Sequence, residues 1–481
     1  MSPHIHLIAI CGTAMGTLAG MLKAKGFKVS GSDENVYPPM STQLEKWQIP
    51  LQKGFKAENL DPKPDLVIVG NAVSKTNPEV AALLDSRIEY LSLPQALGRF
   101  FLEEKKSLVV AGTHGKTTST SLLAWMLHES GLDPSFLVGG IPQNFNSSFR
   151  LGKGDYFVIE GDEYDTAFFD KGPKFWHYHP YQAILTGVEF DHADIYRDLE
   201  HVKSAFQKFI ELIPANGALY YCGDNPIAVE LSAFCKGRKV SYGFDSACEF
   251  RAENIQFNSE GVEFDFYQNA NMLTRFQCPL PGKHNLQNLL GVLALCLNLY
   301  ESNHKRVTQG LPCHPSLQKL QEAISQFKSV KRRQEVRGRV NNITLIDDFA
   351  HHPTAIAETI DAIKGKYPGQ KVWAIFEPRS NTSKRAIFQH DFPRALAHAD
   401  EVLLAKVFMP EKVKDSALLD VSQVAKDLTL LGIPTQANLE VDEIVLLLQQ
   451  KAKPGDVLLV MSNGGFGGIH QKLLEVLRKI Q

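Results

Sequence analysis

One stretch constrains this chain more than any other. Leu108-Val109-Val110-Ala111 is an apolar run of buried-strand type; it passes through Gly112-Thr113-His114-Gly115 into Lys116-Thr117-Thr118, which opens a segment of helical period. A strand, a glycine-rich turn and Lys-Thr at a helix start form a phosphate cradle. Backbone N–H groups wrap the phosphates of a nucleotide, the lysine meets the β- and γ-phosphates, and the hydroxyl reaches Mg²⁺. The first glycine usual in such a loop is replaced here by Val110. The motif needs a parallel sheet behind it, and strand-like runs alternate with helical segments from end to end, so the predicted fold class is α/β.

A chain of 481 residues suggests about three domains. The charged patch Glu103-Glu104-Lys105-Lys106 and the basic stretch Lys328 to Arg333 divide it into expected domains 1–105, 106–327 and 328–481. The first begins with a strand, Ile5–Ile10, a glycine turn and a helix with Met15, Leu18, Ala19 and Leu22 on one face. The second runs through strands at Tyr156–Glu160 and Ala183–Thr186, a more β-like stretch from Ala218 to Phe276 and a helix Asn285–Leu299. Strands at Ile343–Ile346, Val372–Phe376, Glu401–Leu404 and Val457–Met461 mark the third. The expectation is a Rossmann-like N-terminal domain, a central P-loop ATPase domain and a C-terminal Rossmann-like domain.

With 51 basic against 53 acidic residues and no run of like charge, nucleic acid is not an expected partner. No segment reaches the apolar length of a membrane span, and the N-terminus enters a strand without a signal-peptide pattern, so the expected location is the cytoplasm. The seven cysteines, Cys11, Cys222, Cys235, Cys248, Cys278, Cys296 and Cys313, are scattered with no Cys-x-x-Cys, which supports neither a disulfide framework nor a zinc site.

Phosphoryl chemistry also needs carboxylates to hold a metal. Glu160 ends a strand, with Asp162, Glu163 and Asp165 just beyond it, and Gly187-Val188-Glu189-Phe190-Asp191-His192 follows another strand. Gly12-Thr13-Ala14-Met15-Gly16, with Asp33 about twenty residues on, suggests a second nucleotide or pyrophosphate site, although its spacing is not Gly-x-Gly-x-x-Gly. In Asp347-Asp348-Phe349-Ala350-His351-His352-Pro353, the histidines read either as a ligand-facing loop or as a helix cap. Met461-Ser462-Asn463-Gly464-Gly465-Phe466-Gly467-Gly468 is a strand end of the kind that receives ligands in α/β sheets. Arg332 and Arg333 suit either a phosphate or a solvated linker.

Together these stretches resemble the Mur ligases over essentially the whole chain. The resemblance implies ATP and Mg²⁺ as cofactors, with Gly112, Thr113, His114, Gly115, Lys116, Thr117 and Thr118 as the nucleotide loop and Thr117, Glu160 and His192 as metal ligands. It places His284, Asn285, Asn288, Arg333 and Asp348 at the nucleotide. Gly12, Thr13, Ala14, Met15, Gly16, Ser32, Asp33 and Asn71 fall in the UDP-sugar domain. Lys116, His351 and Arg333 become the catalytic candidates. A lysine that several members carbamylate is here Phe206, as in the branch acting on UDP-N-acetylmuramate itself.

Within that branch, Glu377-Pro378-Arg379-Ser380-Asn381-Thr382, Ser462 to Lys472 and Phe168 to Phe175 resemble members that attach a recycled tripeptide, L-alanyl-γ-D-glutamyl-meso-diaminopimelate. Arg379, Asn381, Ser462 and Asn463 are the candidate peptide contacts, since a guanidinium suits a carboxylate. The implied partners are small molecules, UDP-N-acetylmuramate and a peptide, taken up by a monomer or weak homodimer with no membrane involvement. Free L-alanine as acceptor is the alternative. More remote are an NAD-binding oxidoreductase built on the first glycine loop and a non-catalytic nucleotide-binding regulator.

Overall fold

The computed structural model describes residues 2–36, 40–307, 317–413 and 416–478, with side chains left aside in 300–307; Cys313 lies outside the described residues. The chain is α/β and built on parallel-rich sheets in a three-domain architecture. Its contacts divide it into two compact units. The first comprises Met1–Val188, Glu200–Tyr242 and Gly291–Ala323, and the second Glu189–Leu199, Gly243–Leu290 and Ile324–Gln481. Among the described residues no helix is long and apolar enough to cross a membrane.

Within the first unit, the N-terminal sheet sets Leu51–Lys53, Lys28–Asp33, His4–Ile8, Leu66–Val69 and Glu89–Ser92 side by side, all parallel. The chain order reverses between His4–Ile8 and Leu66–Val69, which opens a crevice at their carboxyl ends, the usual ligand position in such sheets. Gly12 and Asn71 follow these two strand ends. The first strand is shorter than the expected Ile5–Ile10 because Ala9 turns to φ +65°, and the N–H groups of Ala9 and Ile10 both donate to Ser32 O.

The other sheet segment of this unit runs Arg238–Gly243, Ala218–Cys222, Pro180–Leu185, Lys106–Ala111, Tyr156–Gly161, Ser135–Leu137 and Phe149–Arg150, parallel except for the last. Ala111 is in register with Leu185 on one side and Gly161 on the other, so three strand ends lie together. Phe168 and Phe169 pack against the N-terminal core, Phe169 lying edge-on to Tyr90 at 5.0 Å. Asp170 accepts from Ser92 Oγ at 2.6 Å and approaches His177 at 2.9 Å. The N-terminal and central sheets are thereby held in one body.

In the second unit, the C-terminal sheet is ordered Glu335–Val340, Ile343–Asp348, Val457–Met461, Val372–Phe376, Glu401–Ala405 and Thr435–Leu439, and only its first strand is antiparallel to its neighbour. Val457, Leu459 and Met461 enter one apolar cluster while Leu458 and Val460 enter another on the opposite face. A strand covered by helices on both sides has no polar alternation, hence its unbroken apolar run. Each such leucine contributes about 1.5–3 kcal/mol of burial. The β-like stretch resolves partly into an antiparallel meander, Phe250–Asn258, Gly261–Gln268 and Asn271–Cys278, around buried Phe250, Phe264, Phe266 and Phe276.

Candidate active site

Strand Lys106–Ala111 ends one residue before Gly112, whose φ of +135° is open only to glycine; an added Cβ would run into the Thr186 hydroxyl and lie 2.8 Å from Gly187 O. Gly115, at φ +79°, is the left-handed cap of helix Lys116–Glu129, and no side chain caps that helix. A helix start of this kind, behind a glycine turn, is suited to an anion. The turn is tied to the next strand end: Thr113 N–H donates to Gly187 O at 2.8 Å and Thr186 Oγ donates to His114 O at 2.6 Å. Val110, where the first glycine of the general motif would stand, is fully buried inside the strand.

Thr117 Oγ donates to Glu160 Oε2 at 3.1 Å, while Gly139 N–H donates to Glu160 Oε1 at 2.7 Å. A hydroxyl and a carboxylate that close are hard oxygen donors of the kind Mg²⁺ takes, so these residues fit that ion. Lys116 Nζ rests on Glu163, at 2.7 and 3.0 Å from its two oxygens, and donates to Gly112 O at 2.7 Å. Burial lowers the lysine pKa, but Glu163, Asp162 and Glu160 outweigh it and the net shift is upward, so Lys116 stays charged. In the sequence Glu163 is only one of several acids past the strand. Tyr164 and Tyr178 have pKa values raised well above normal by burial and then by Asp162, which marks the acidic character of this pocket.

The position of the carbamylated lysine is filled by Phe206, fully buried with its ring 5.2 Å from Phe175.

At the N-terminal turn, Gly12 is the uncapped entry of helix Thr13–Ala24, which also carries Ala14 and Met15. Gly16 lies inside that helix, and its smallness is explained by the Met40 side chain, which occupies the place of a Cβ. Asp33 does not project as a free carboxylate: its oxygens accept from Cys11 N–H at 2.8 Å and Asn35 N–H at 2.9 Å. Ser32 Oγ donates to Glu79 at 2.9 Å. That glutamate is completely buried and also meets His6 Nε2 and Asn59 Nδ2, each at 2.8 Å. Asn71 Nδ2 donates to Asp165 O at 3.2 Å.

Glu160 belongs to the first unit and His192 to the second. His192 adopts φ +52° and donates its N–H to Asp191 Oδ1 at 2.7 Å. Burial works against the charge of Asp191, but His192, His351 and His352 hold its carboxyl well below the usual carboxylate range. His351 Nε2 lies 3.9 Å from Asp191 Oδ2. His352 takes the capping role: its Nδ1 accepts from Thr354 N–H at 3.3 Å at the start of helix Pro353–Lys366, and its ring packs on Phe388. The helix-cap reading thus holds for His352, since a helix whose N1 is proline is stabilised by an acceptor just before it.

Asp348 accepts from Gln334 N–H at 2.8 Å and Ala350 N–H at 2.7 Å; burial lifts its pKa against the pull of Arg333. The Arg333 guanidinium lies 4.9 Å from the Phe349 ring centre. Gln334 Nε2 approaches His284 Nε2 at 3.3 Å, Asn285 Nδ2 donates to Pro281 O, and Asn288 is buried on the same helix, so the second unit assembles this predicted group. Arg332 is no solvated linker, since it donates to the carbonyls of Ser462 and Gly464 at 2.6 and 2.7 Å.

The strand ends of the C-terminal sheet bring the remaining candidates together. Ser462 Oγ donates to Glu377 Oε2 at 2.6 Å, and Arg379 Nη1 lies 3.6 Å from Glu377 Oε1 with its guanidinium 3.7 Å from the Phe408 ring centre. Arg379 also occupies the space a Cβ on Gly464 would need. Asn381 Nδ2 donates to Asp194 Oδ2 at 2.9 Å. The Asn463 side-chain oxygen is buried and has no hydrogen-bond partner among the described residues.

An uncapped helix N-terminus behind a left-handed glycine turn, with Lys-Thr at its start and a carboxylate on the adjacent strand, defines the class of P-loop proteins on an α/β sheet. Models of the Mur ligase family, catalytic domain, the Mur ligase middle domain and the Mur ligase, glutamate ligase domain match residues 4–105, 110–296 and 332–464. The chain is 40% identical over 480 residues, covering 99% of it and 98% of the relative, to the UDP-N-acetylmuramate–L-alanyl-γ-D-glutamyl-meso-2,6-diaminoheptandioate ligase of Escherichia coli K12. It is 32% identical over 465 residues, 96% of each chain, to the UDP-N-acetylmuramate–L-alanine ligase of Clostridium acetobutylicum. A crystal structure of a murein peptide ligase from Psychrobacter arcticus superposes with TM-score 0.71 at 36% identity over 100% of both chains. The chain belongs to the Mur ligase family and is a ligase of that family.

Proposed function

We propose that this ligase spends ATP to join the lactyl carboxylate of UDP-N-acetylmuramate to the amine of the tripeptide L-alanyl-γ-D-glutamyl-meso-diaminopimelate, through an acyl phosphate, in recycling of cell-wall peptide. The observation that carries this reading is the 40% identity, over 99% of the chain, to the E. coli ligase of that name, against 32% to the alanine ligase. A carboxylate forms no amide in water at a useful rate unless it is activated, hence the need for a phosphate loop.

Residues 1–105 then hold the UDP-sugar, 106–327 the nucleotide and 328–481 the acceptor. Lys116 leaves Glu163 to meet the phosphates, and the N–H groups from Gly112 to Thr118 wrap them. Thr117 and Glu160 would hold Mg²⁺, with His192 as a further ligand; the ion, when bound, offsets charge developing on the transferred phosphate. His284, Asn285, Asn288, Arg333 and Asp348 position the nucleotide. The uncapped helix entry at Gly12, Thr13, Ala14 and Met15 receives the pyrophosphate of the UDP-sugar, and Asn71 lies across the crevice. Ser32 and Asp33 shape that turn from within. His351, near Asp191, orients or deprotonates the attacking amine, and Arg379, Asn381, Ser462 and Asn463 contact the peptide. The protein works in the cytoplasm as a monomer or weak homodimer.

Two measurements test this. Phosphate release with UDP-N-acetylmuramate and ATP is compared for tripeptide and for L-alanine as acceptors; a preference for the tripeptide is expected, and turnover with alanine alone would replace the reading by its alternative. Glu160→Gln removes one charge from the donor pair facing Thr117, so the Mg²⁺ concentration at half-maximal rate should rise by roughly tenfold or more. An unchanged Mg²⁺ dependence would take Glu160 out of the metal site.

A further inference from the structure

Two neighbouring arginines, Arg332 and Arg333, meet two neighbouring aspartates, Asp347 and Asp348, which end strand Ile343–Asp348. Successive side chains of a strand point to opposite faces, so the two carboxylates have different surroundings. Arg333 is the cation whose charge acts on Asp348. Asp347 lies on the other side with 3% of its side chain exposed. Arg332 Nε stands 3.5 Å and Arg337 Nη1 3.8 Å from its Oδ2, and His470 Nε2 stands 3.3 Å from its Oδ1. Burial opposes the charge of Asp347, but His470, Arg332 and Arg337 hold its pKa below the usual carboxylate range, so it stays an anion beside Arg332.

The backbone of Arg332 is left-handed, at φ +61°, which is uncommon for a residue other than glycine and persists where the surroundings hold it. Here they do: Arg332 N–H donates to Glu335 Oε2 at 2.8 Å, and Arg332 Nη2 donates to Ser462 O at 2.6 Å and to Gly464 O at 2.7 Å. One guanidinium nitrogen therefore grips the carbonyls on either side of Asn463. The turn it grips follows strand Val457–Met461 and has glycine at 464, 465, 467 and 468, so its backbone has little stiffness of its own. Ser462 is fixed at the strand end, its N–H donating to Asp348 O at 3.1 Å and its Oγ to Glu377. Arg332 reaches past that anchor to Gly464.

We propose that Arg332 is a positioning residue of the acceptor site: braced by Asp347 and His470, it clamps the carbonyls of Ser462 and Gly464 and holds the glycine-rich turn in the shape that meets the peptide. This role rests on the function proposed above and deepens it. Arg332 acts through the turn and not on the reacting atoms. Asp347, beside Nε, fixes the plane of the guanidinium and so aims Nη2 at the two carbonyls, and charge-assisted bonds of this kind are stronger than neutral ones. A turn ordered in advance spares the acceptor the entropy of ordering it, so the effect falls on the acceptor's KM. The doubled Arg-Arg and Asp-Asp are thereby given separate tasks, Arg333 with Asp348 at the nucleotide group and Arg332 with Asp347 at the acceptor turn.

The test compares full-length wild type, Arg332→Ala and Arg332→Lys. For Arg332→Ala the KM for the tripeptide should rise roughly ten- to a hundredfold, the scale of losing a charged hydrogen bond, while KM for ATP stays near its wild-type value. Amide hydrogen exchange, measured with no substrate present, should speed up across residues 462–465 in Arg332→Ala and stay slow in strand Val457–Met461. Arg332→Lys should recover most of both effects, because an ammonium can still donate to two carbonyls. An arginine that served stability alone would raise exchange throughout the C-terminal sheet and cost turnover with every substrate alike. That pattern, an unchanged tripeptide KM, unchanged exchange at the turn, or an equal rise in KM for ATP overturns the role of Arg332 and leaves the ligase reading intact. Wild type that fails to turn over the tripeptide removes the ligase reading and the acceptor role with it; the exchange measurement, which needs no substrate, tells the two failures apart.

Discussion

Lys116→Ala is expected to abolish ATP-dependent ligation, with kcat lowered on the order of a thousandfold or more, the scale set by removing one preorganised charge from a transition state. The variant also leaves Glu163 buried and without its cation, since the two groups meet at 2.7 Å with only 3% of the Glu163 side chain exposed. Breaking such a pair from one side costs about 3 kcal/mol. Loss of activity could therefore be mistaken for loss of fold. The double variant Lys116→Ala/Glu163→Gln separates the two: removing the orphaned charge should restore most of the stability, read by urea unfolding, and none of the turnover. Phosphate release by the double variant at a rate near wild type would remove Lys116 from the chemistry and with it the phosphate role of the loop.

Glu79→Ala should destabilise the N-terminal domain by about 3–5 kcal/mol, the cost of opening a fully buried network from one side. Both Glu79 and His6 have no exposed surface, and the Glu79 carboxylate also accepts from Ser32 and Asn59. Alanine would leave three polar groups facing a cavity, each costing about 1–3 kcal/mol unless water enters. Ser32 immediately precedes Asp33, which holds Cys11 N–H beside the Gly12 turn. The same variant should therefore weaken UDP-N-acetylmuramate binding more than ATP binding. Calorimetric titration with each ligand at a temperature where the variant remains folded reads that ratio; equal weakening, or a change in unfolding free energy below about 1 kcal/mol, would show that the network neither supports the domain nor shapes the turn.

Local chemistry makes several elements legible in the residues alone. The strands Val372–Phe376 and Val457–Met461 have the bounds expected of them, because a strand buried on both faces leaves an uninterrupted apolar run. The phosphate turn is legible for a similar reason: Gly112 and Gly115 have backbone angles that few other residues adopt. Gly16 shows the limit, since the same residue type in a comparable short stretch answers to the Met40 side chain across the helix pair.

Whatever depends on which side chains meet across long sequence separations has no local signature. Glu79 looks like an ordinary acid in a helix start, yet it lies 73 residues from the histidine it holds. Glu163 is one acid among several past a strand until the fold puts it on Lys116. The sequence by itself determined the α/β class, the places of the buried strands and the phosphate turn, because backbone angles and two-sided burial restrict residue type position by position. Only the tertiary structure decided which charges are paired and which histidine caps a helix, because the free energy of a charge depends on the surroundings that distant parts of the chain supply.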